Sequence, residues 1–144
     1  MQIVTRQADI HDLDSIRDLS AQWGYASSNQ KICENLIEIL DQQDHLVLVI
    51  LSGQKVIGWI HGMYIRSVVL DPFIEIAGLV IDQDFRRQGM GKILIEQITV
   101  WSKFKNCNRI RVRTNTVRTE AQAFYISMGF TEIKEQKVYD ISNS

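Results

Sequence analysis

Three segments of strand type follow one another in the middle of the chain, with no helical segment between them. Residues 45–51 form an almost unbroken aliphatic run, residues 52–54 indicate a turn, and residues 55–65 return as a second strand. A short turn of this kind joins antiparallel strands, whereas parallel strands need a long crossover. A third apolar strand, residues 73–81, follows the break at Asp71-Pro72. The chain is therefore predicted to build an α/β fold around a mixed, mostly antiparallel sheet.

Helical patterns flank these strands. Apolar residues recur at helical spacing over residues 12–23 and 28–41, and Ser28 or Asn29 is a plausible cap for the second helix. Gly24 is predicted to end the first. The remaining predicted elements are a strand over 2–6, a helix from the central glycines to about residue 103, a strand over 109–113, a short helix, and a last strand from 130 to about 141. For the short helix, Thr119 and Gln122 predict a capping box and Gly129 a C-cap.

Composition limits the class of protein. The 144 residues fit a single domain, 1–144, and 45% hydrophobic with 23% charged residues is typical of a globular protein. The formal net charge of -1 gives no field for a nucleic acid, and the alternating arginines at 109, 111 and 113 are expected to form a solvated face. No apolar run approaches the roughly 18 residues of a spanning helix, and the N-terminus lacks a signal peptide's apolar core. The sequence therefore predicts a cytoplasmic protein without a membrane or nucleic-acid partner.

The strand over 73–81 leads into a turn whose Gly89 and Gly91 open a helix. Unpaired amides and the positive end of the helix dipole make such a start a site for an anion, and glycines let a phosphate reach the main chain. A Walker A loop does not fit, because Gly91-Lys92 lacks the earlier glycine and the following hydroxyl. A dinucleotide fingerprint does not fit either, because position 94 is leucine. The turn alone predicts a small-anion site.

The spacing of further motifs narrows this prediction. Arg86-x-x-Gly89-x-Gly91 after an apolar strand, then Thr114-Asn115, then Ala123-Phe124-Tyr125-x-x-x-Gly129-Phe130, together resemble the GCN5-related N-acetyltransferase (GNAT) superfamily. The resemblance covers residues 45 to about 135. It implies one acyl-CoA N-acyltransferase domain, with a mostly antiparallel sheet of splayed central strands and about four flanking helices. It also implies direct transfer of an acetyl group from acetyl-CoA to a primary amine, without a metal.

The resemblance also implies where acetyl-CoA binds. Its pyrophosphate would lie in the turn from Arg86 to Lys92, which includes Met90, on main-chain amides. The amides expected there are those of Arg87, Gln88, Gly89, Gly91 and Lys92. Main-chain groups of Leu79, Val80 and Ile81 would face the pantetheine arm, with the Leu79 amide donating to the thioester carbonyl and its oxyanion. Gly78 suits a β-bulge at this point. Asn115 matches a family asparagine that often contacts the cofactor.

An amine nucleophile must lose a proton, and the departing thiolate gains one. Glu75 is the candidate base: it is the only charged residue between positions 73 and 81 and lies 11 residues before Arg86, as in the histone-acetyltransferase branch of the superfamily. Its alternative is to point to solvent or to pair with a basic side chain. His61 is a rival base, and water alone would also serve. Tyr125 is the candidate acid by the resemblance, its alternative being a packed core side chain.

The acceptor is left open by the sequence beyond a small-molecule or peptide amine. Trp23 and Tyr25 are predicted either to wall the acceptor site or to staple two helices together. A homodimer is compatible with the sequence. A non-catalytic acyl-CoA-binding sensor or partner module is the alternative to an enzyme.

Overall fold

A computed structural model of the chain describes residues 2–25 and 28–143. Five strands form one sheet in chain order: β1 Ile3–Gln7, β2 His45–Ser52, β3 Lys55–Ile65, β4 Phe73–Ile81 and β5 Ile110–Val112. Four helices accompany them: α1 Leu13–Ala21, α2 Asn29–Leu40, α3 Met90–Phe104 and α4 Thr119–Ser127. Strands β1 to β4 pair antiparallel, and β5 pairs parallel to β4. The predicted α/β class with a mostly antiparallel sheet is confirmed.

The chain divides into two compact units at Arg113 and Thr114. The first contains the whole sheet with α1, α2 and α3, and the second contains α4 and the segment after it.

Within the first unit the two faces of the sheet carry different helices, because side chains alternate along each strand. On one face, Ile39 and Leu40 of α2 pack against the same buried cluster as Trp59, which is formed by Ala8, Val47 and Val49. Gly62 lies on the opposite face, where a Cβ would come within 2.9 Å of the Ile98 Cδ1 atom of α3. The sheet is thus a middle layer, and the glycine lets α3 approach it closely.

The pairing of β3 with β4 contains a bulge. His61 is opposite Gly78 but Gly62 is opposite Ile76, so Ala77 is the extra residue. A Cβ on Gly78 would lie 2.6 Å from Trp59 Cη2, which means that the indole ring occupies the space above this glycine. The bulge predicted beside Gly78 is confirmed.

The helix ends follow the sequence signals in part. Ser28 Oγ accepts a hydrogen bond from the Lys31 amide, as expected of an N-cap, and Gly129 has the left-handed φ of 96° that follows a helix C-terminus. The capping box predicted at Thr119 is wrong. Arg118 occupies the N-cap position, and the Gln122 side chain donates instead to the carbonyls of residues 115 and 116. Because Thr119 is already inside the first turn of α4, its hydroxyl is past the position from which a side chain caps.

The last predicted strand is also wrong. Residues 131–143 contain no strand, and every one of them is exposed. Four consecutive polar residues, 134–137, interrupt the alternation of apolar and polar positions. The segment therefore offers no continuous apolar face whose burial would hold it in a sheet.

Candidate functional site

The start of α3 has the geometry of an anion site. Gly89 is the N-cap, with a left-handed φ of 83°, and a Cβ built there would meet no atom within 4 Å. Arg87 just before it also has a positive φ, of 61°. The first amides of a helix have no partner inside the helix, so those that follow Gly89 are directed at this open space. With Arg87 and Lys92 exposed alongside, the turn has the open space and the positive charge that an anionic group requires.

Trp23 ties the end of α1 to the strand that leads into this turn. Its indole Nε1 donates to the Ile81 carbonyl at 3.1 Å, and the Arg86 guanidinium carbon lies 3.3 Å from the centre of its ring. The Gln22 side chain also accepts a hydrogen bond from the Gln83 amide. Trp23 is therefore an anchor between α1 and β4, and Arg86 stacks on it within the predicted binding turn.

The edge of β4 beyond the bulge presents main-chain groups away from β3. The Asp82 amide donates to the Ile57 carbonyl, which fixes residues 57 and 82 as a hydrogen-bonded pair. Antiparallel pairs alternate in this respect, so Val80 bonds to Trp59, whereas the main-chain groups of Leu79 and Ile81 point the other way. On that side the pairing of β4 with β5 ends at Ile76. The two strands separate there, as the resemblance implied, beside two of the three predicted main-chain positions.

Glu75 lies in β4 where that strand still pairs with β5. Its Oε1 accepts a hydrogen bond from Arg113 Nε at 2.9 Å, and its side chain is 19% exposed. It is opposite Met63 in β3, and directly opposed residues project from the same face, here the face that carries His61. Of the two alternatives to a base role that the sequence raised, exposure to solvent and pairing with a basic side chain, the structure shows the ion pair. Arg113 thereby fixes the orientation of the carboxylate.

The structure changes the interpretation of the arginines on β5. Arg111 is half-buried, its guanidinium carbon lies 4.4 Å from the centre of the Phe73 ring, and its Nε is buried without a hydrogen-bond partner in the described residues. The expected solvated face is therefore wrong for Arg111. The reason is the register: Arg111 pairs with Glu75 across β4 and β5, which places its side chain over Phe73 instead of in solvent.

His61 forms a pair with His45 that the sequence did not reveal. His45 Nδ1 and His61 Nε2 are 2.9 Å apart, and the two rings are stacked. Burial, with a smaller contribution from His45, lowers the pKa of His61 from 6.5 to about 4. So low a pKa removes the advantage that an imidazole ordinarily has as a base near neutral pH. Only the cross-strand register brings the two histidines together, and a sequence pattern does not specify it.

A cavity of about 230 Å³ lies between α1, α2 and the sheet. Its lining is largely apolar and carries no acidic side chain; it consists of Ile16, Ser20, Tyr25, Ile32, Asn35, Leu36, Ile39, Val47, Trp59 and His61. The Trp59 ring connects this cavity to β4, because the same ring also covers Gly78 of that strand. Tyr25 thus borders this cavity, the position that the sequence offered for it as part of the wall of an acceptor site.

The second unit holds the remaining predicted residues. The Tyr125 ring makes edge-to-face contacts with Phe124 and Phe130, at centroid distances of 5.2 and 5.4 Å. Asn115 Oδ1 accepts a hydrogen bond from the Val117 amide at 3.1 Å, which closes a turn before α4. Its Nδ2 is consequently the end of the side chain that a ligand could use.

Residues 2–25 and 28–143 contain no group of three or more His, Cys, Asp or Glu side chains placed to hold a metal ion. Nor does this part of the chain include a helix of the length and apolarity that crossing a membrane requires.

Comparison with known proteins agrees with this geometry. The model of the acetyltransferase (GNAT) family matches residues 10–130. The aminoglycoside N(6')-acetyltransferase type 1 of Salmonella typhimurium is 27% identical over 139 residues, which cover 93% of this chain and 95% of that protein. Human (Homo sapiens) N-acetyltransferase 8 is 25% identical over 104 residues, 69% of this chain but 46% of that protein, so this relative is about twice as long as the matched part.

A solved structure shows the same fold. The aminoglycoside acetyltransferase AAC(6')-Iy, in complex with a bisubstrate analogue, CoA-S-monomethyl-acetylneamine, superposes with a TM-score of 0.87 at 20% identity and 99% coverage of both chains. The match of the family model to most of the chain, together with this fold and the glycine turn, confirms the resemblance inferred from the motifs. The chain belongs to the acetyltransferase (GNAT) family.

Proposed function

We propose that this chain transfers the acetyl group of acetyl-CoA directly to a primary amine of a small molecule or peptide, with both substrates bound at once. The observation that carries the proposal is the combination, within one unit, of the open glycine turn of α3 and the free main-chain edge of β4. Such a pair offers amides to a pyrophosphate and, a few residues earlier, amides to a thioester arm. The family match and the CoA analogue in the superposed structure support acetyl-CoA as the donor. By this proposal the reaction takes place in the cytoplasm.

Within this proposal the main chain stabilises the developing charge. The Leu79 amide, which points away from β3, would donate to the thioester carbonyl and to the oxyanion that forms when the amine attacks. A donor fixed in a strand needs no reorientation during the reaction, which makes its contribution large. The Ile81 amide points to the same side and would bind farther along the arm, while its carbonyl stays bonded to Trp23.

Side chains would move the protons. Glu75, oriented by Arg113, would accept the proton that the amine must lose, and Tyr125 would donate one to the departing thiolate. An amine with a pKa near ~10 is largely protonated at neutral pH, so the base is the more important of the two groups. Asn115 Nδ2 would contact the donor. The Salmonella typhimurium relative that matches 93% of this chain is named as an aminoglycoside acetyltransferase, which makes amines of this kind the first to test.

The test is release of free thiol from acetyl-CoA against a panel of primary amines, with Glu75→Gln as the principal variant. We expect thiol release with at least one amine, and a fall in kcat of about 100-fold or more for Glu75→Gln with the KM of acetyl-CoA unchanged. Saturable acetyl-CoA binding without thiol release against any amine or peptide would contradict the proposal and favour a non-catalytic acyl-CoA-binding module.

A further inference from the structure

The face of the sheet that carries Glu75 has an excess of positive charge. Glu75 is the sole ionisable residue of β4, whereas β5 and its two flanking positions supply Arg109, Arg111 and Arg113. Arg113 is engaged by Glu75, which neutralises one of the three guanidinium charges. The cavity on the same face adds no acidic side chain to its lining. This surface is therefore unsuited to an acceptor that carries several positive charges.

Arg111 is the residue whose environment calls for a ligand. Its Nε atom is buried, yet it has no hydrogen-bond partner among the residues that the structure describes. A buried polar group without a partner destabilises a protein, and a guanidinium cannot lose its charge to avoid this. The centre of the Phe73 ring lies 4.4 Å from the guanidinium carbon, a distance at which a cation and an aromatic ring attract each other. A guanidinium with an unused donor matches the oxygens of a carboxylate or phosphate.

The position of Arg111 relates this anion site to the reaction. Arg111 is paired with Glu75 in the parallel register of β4 and β5, and neighbouring strands are about 4.8 Å apart. An anion bound at Arg111 would thus lie on the same face of the sheet as the carboxylate that is proposed to deprotonate the amine. An acceptor with a positive or neutral nitrogen at one end and an anion close to it satisfies both groups.

We propose that the acceptor is a primary amine with a carboxylate or phosphate group near its nitrogen, and that Arg111 binds this anion. The inference rests on the proposed acetyl transfer and deepens it by naming the class of acceptor. The proposed acceptor differs from the aminoglycosides named for two of the relatives, which carry several ammonium groups that the same arginines would repel.

Matched acceptors test the proposal directly. Thiol release is measured for phenylalanine against phenethylamine, for β-alanine against propylamine, and for 3-aminopropyl phosphate against the same propylamine, with an aminoglycoside as the polycationic case. We expect a kcat/KM at least about tenfold higher for one anionic class than for its matched amine, and the three pairs together distinguish carboxylate from phosphate. Equal values within every pair, or a preference for the aminoglycoside, would overturn the proposal.

Variants locate the anion site. Arg111→Gln is expected to raise the KM of the anionic acceptor by about 10- to 100-fold. It should leave the KM of acetyl-CoA, and the turnover of the matched amine that lacks the anionic group, within about twofold of the wild-type values. Arg111→Lys should recover part of the affinity lost in Arg111→Gln, because lysine keeps the positive charge but lacks the planar set of guanidinium donors. Arg109→Gln, on the exposed flank of β5, is the control and should change none of these values. An equal effect of the two glutamine variants would refute the assignment to Arg111.

A binding measurement separates this inference from the proposed function. The N-acetylated products of the anionic amines are titrated calorimetrically into the wild-type chain and into Arg111→Gln in the presence of CoA. If no amine is turned over but these ligands bind and Arg111→Gln abolishes binding, the anion site stands and acetyl transfer fails. If amines are turned over without any dependence on Arg111, acetyl transfer stands and the anion site is refuted. Melting temperatures of all variants establish that they are folded.

Discussion

Replacing Gly89 by alanine should separate the effect of the glycine turn on cofactor binding from its effect on folding. The residue has a φ of 83°, a region in which a Cβ costs about 1–2 kcal/mol. The site is otherwise open, with no atom within 4 Å of an added Cβ, so no steric clash contributes. For a chain of this size that strain corresponds to a fall in melting temperature of about 3–6 °C. The protein should remain folded and measurable.

The same methyl group would stand where the pyrophosphate approaches the α3 amides. Losing a hydrogen bond to a charged group costs about 1.5–3 kcal/mol, so we expect the Kd and KM of acetyl-CoA to rise by roughly 10- to 100-fold. The KM of the amine should be unchanged, because the substitution is confined to the donor site. Calorimetric titration with CoA and steady-state thiol release measure the two quantities.

Gly53 provides a matched control. It lies in the turn between β2 and β3, has a φ of 62°, and also has no atom within 4 Å of an added Cβ. Gly53→Ala should therefore lose a similar amount of stability through the same backbone strain but bind CoA as the wild type does. If Gly89→Ala weakens CoA binding no more than Gly53→Ala, the glycine turn is not the pyrophosphate site.

Three further outcomes are expected. Tyr125→Phe should lower kcat by about 10- to 100-fold while the KM of acetyl-CoA stays constant, because a thiolate with a conjugate pKa of ~8.5 can still leave slowly; an unchanged kcat across pH would remove the acid role. Gly62→Ala should destabilise the fold by about 1–3 kcal/mol in urea unfolding, because its Cβ would lie 2.9 Å from Ile98 Cδ1. In the folded chain the pKa of His61 is lowered from 6.5 to about 4. The unfolded chain therefore binds more protons than the folded chain between pH 4 and 6.5, so the free energy of unfolding should fall as the pH decreases through this window. His61→Phe should flatten that dependence by about 1–2 kcal/mol relative to the wild type, and parallel pH profiles of the two proteins would contradict the assignment.

The main features of the fold could be predicted because they depend on local patterns. The uninterrupted apolar runs of β2 to β4, the short turn at Gly53 and the glycines at the start of α3 determine strand direction and helix position without reference to distant residues. The two errors about secondary structure came where such patterns are weak. A threonine and a glutamine three residues apart mark a helix start only to within about one residue, and the alternation after Gly129 was interrupted by polar positions.

The site was predictable in its main-chain part and less so in its side-chain part. The glycines at the start of α3 are visible in the sequence, and so is the place of Leu79 in a strand beside Gly78, which suits a bulge. The partners of Glu75, His61 and Arg111 are not, since each depends on the register of a neighbouring strand, and a shift of one residue would turn each side chain to the other face.

The sequence by itself therefore determined the type of fold and the place of an anion-binding turn, because both follow from periodicity and from the conformational freedom of a few glycines, while acetyl-CoA as the donor was implied by the family resemblance. Tertiary structure decided which charges meet. It paired Glu75 with Arg113, placed Trp23 between Ile81 and Arg86, and buried the Arg111 Nε over Phe73. Contacts between residues far apart in the chain depend on strand register and packing, and these are properties of the assembled sheet.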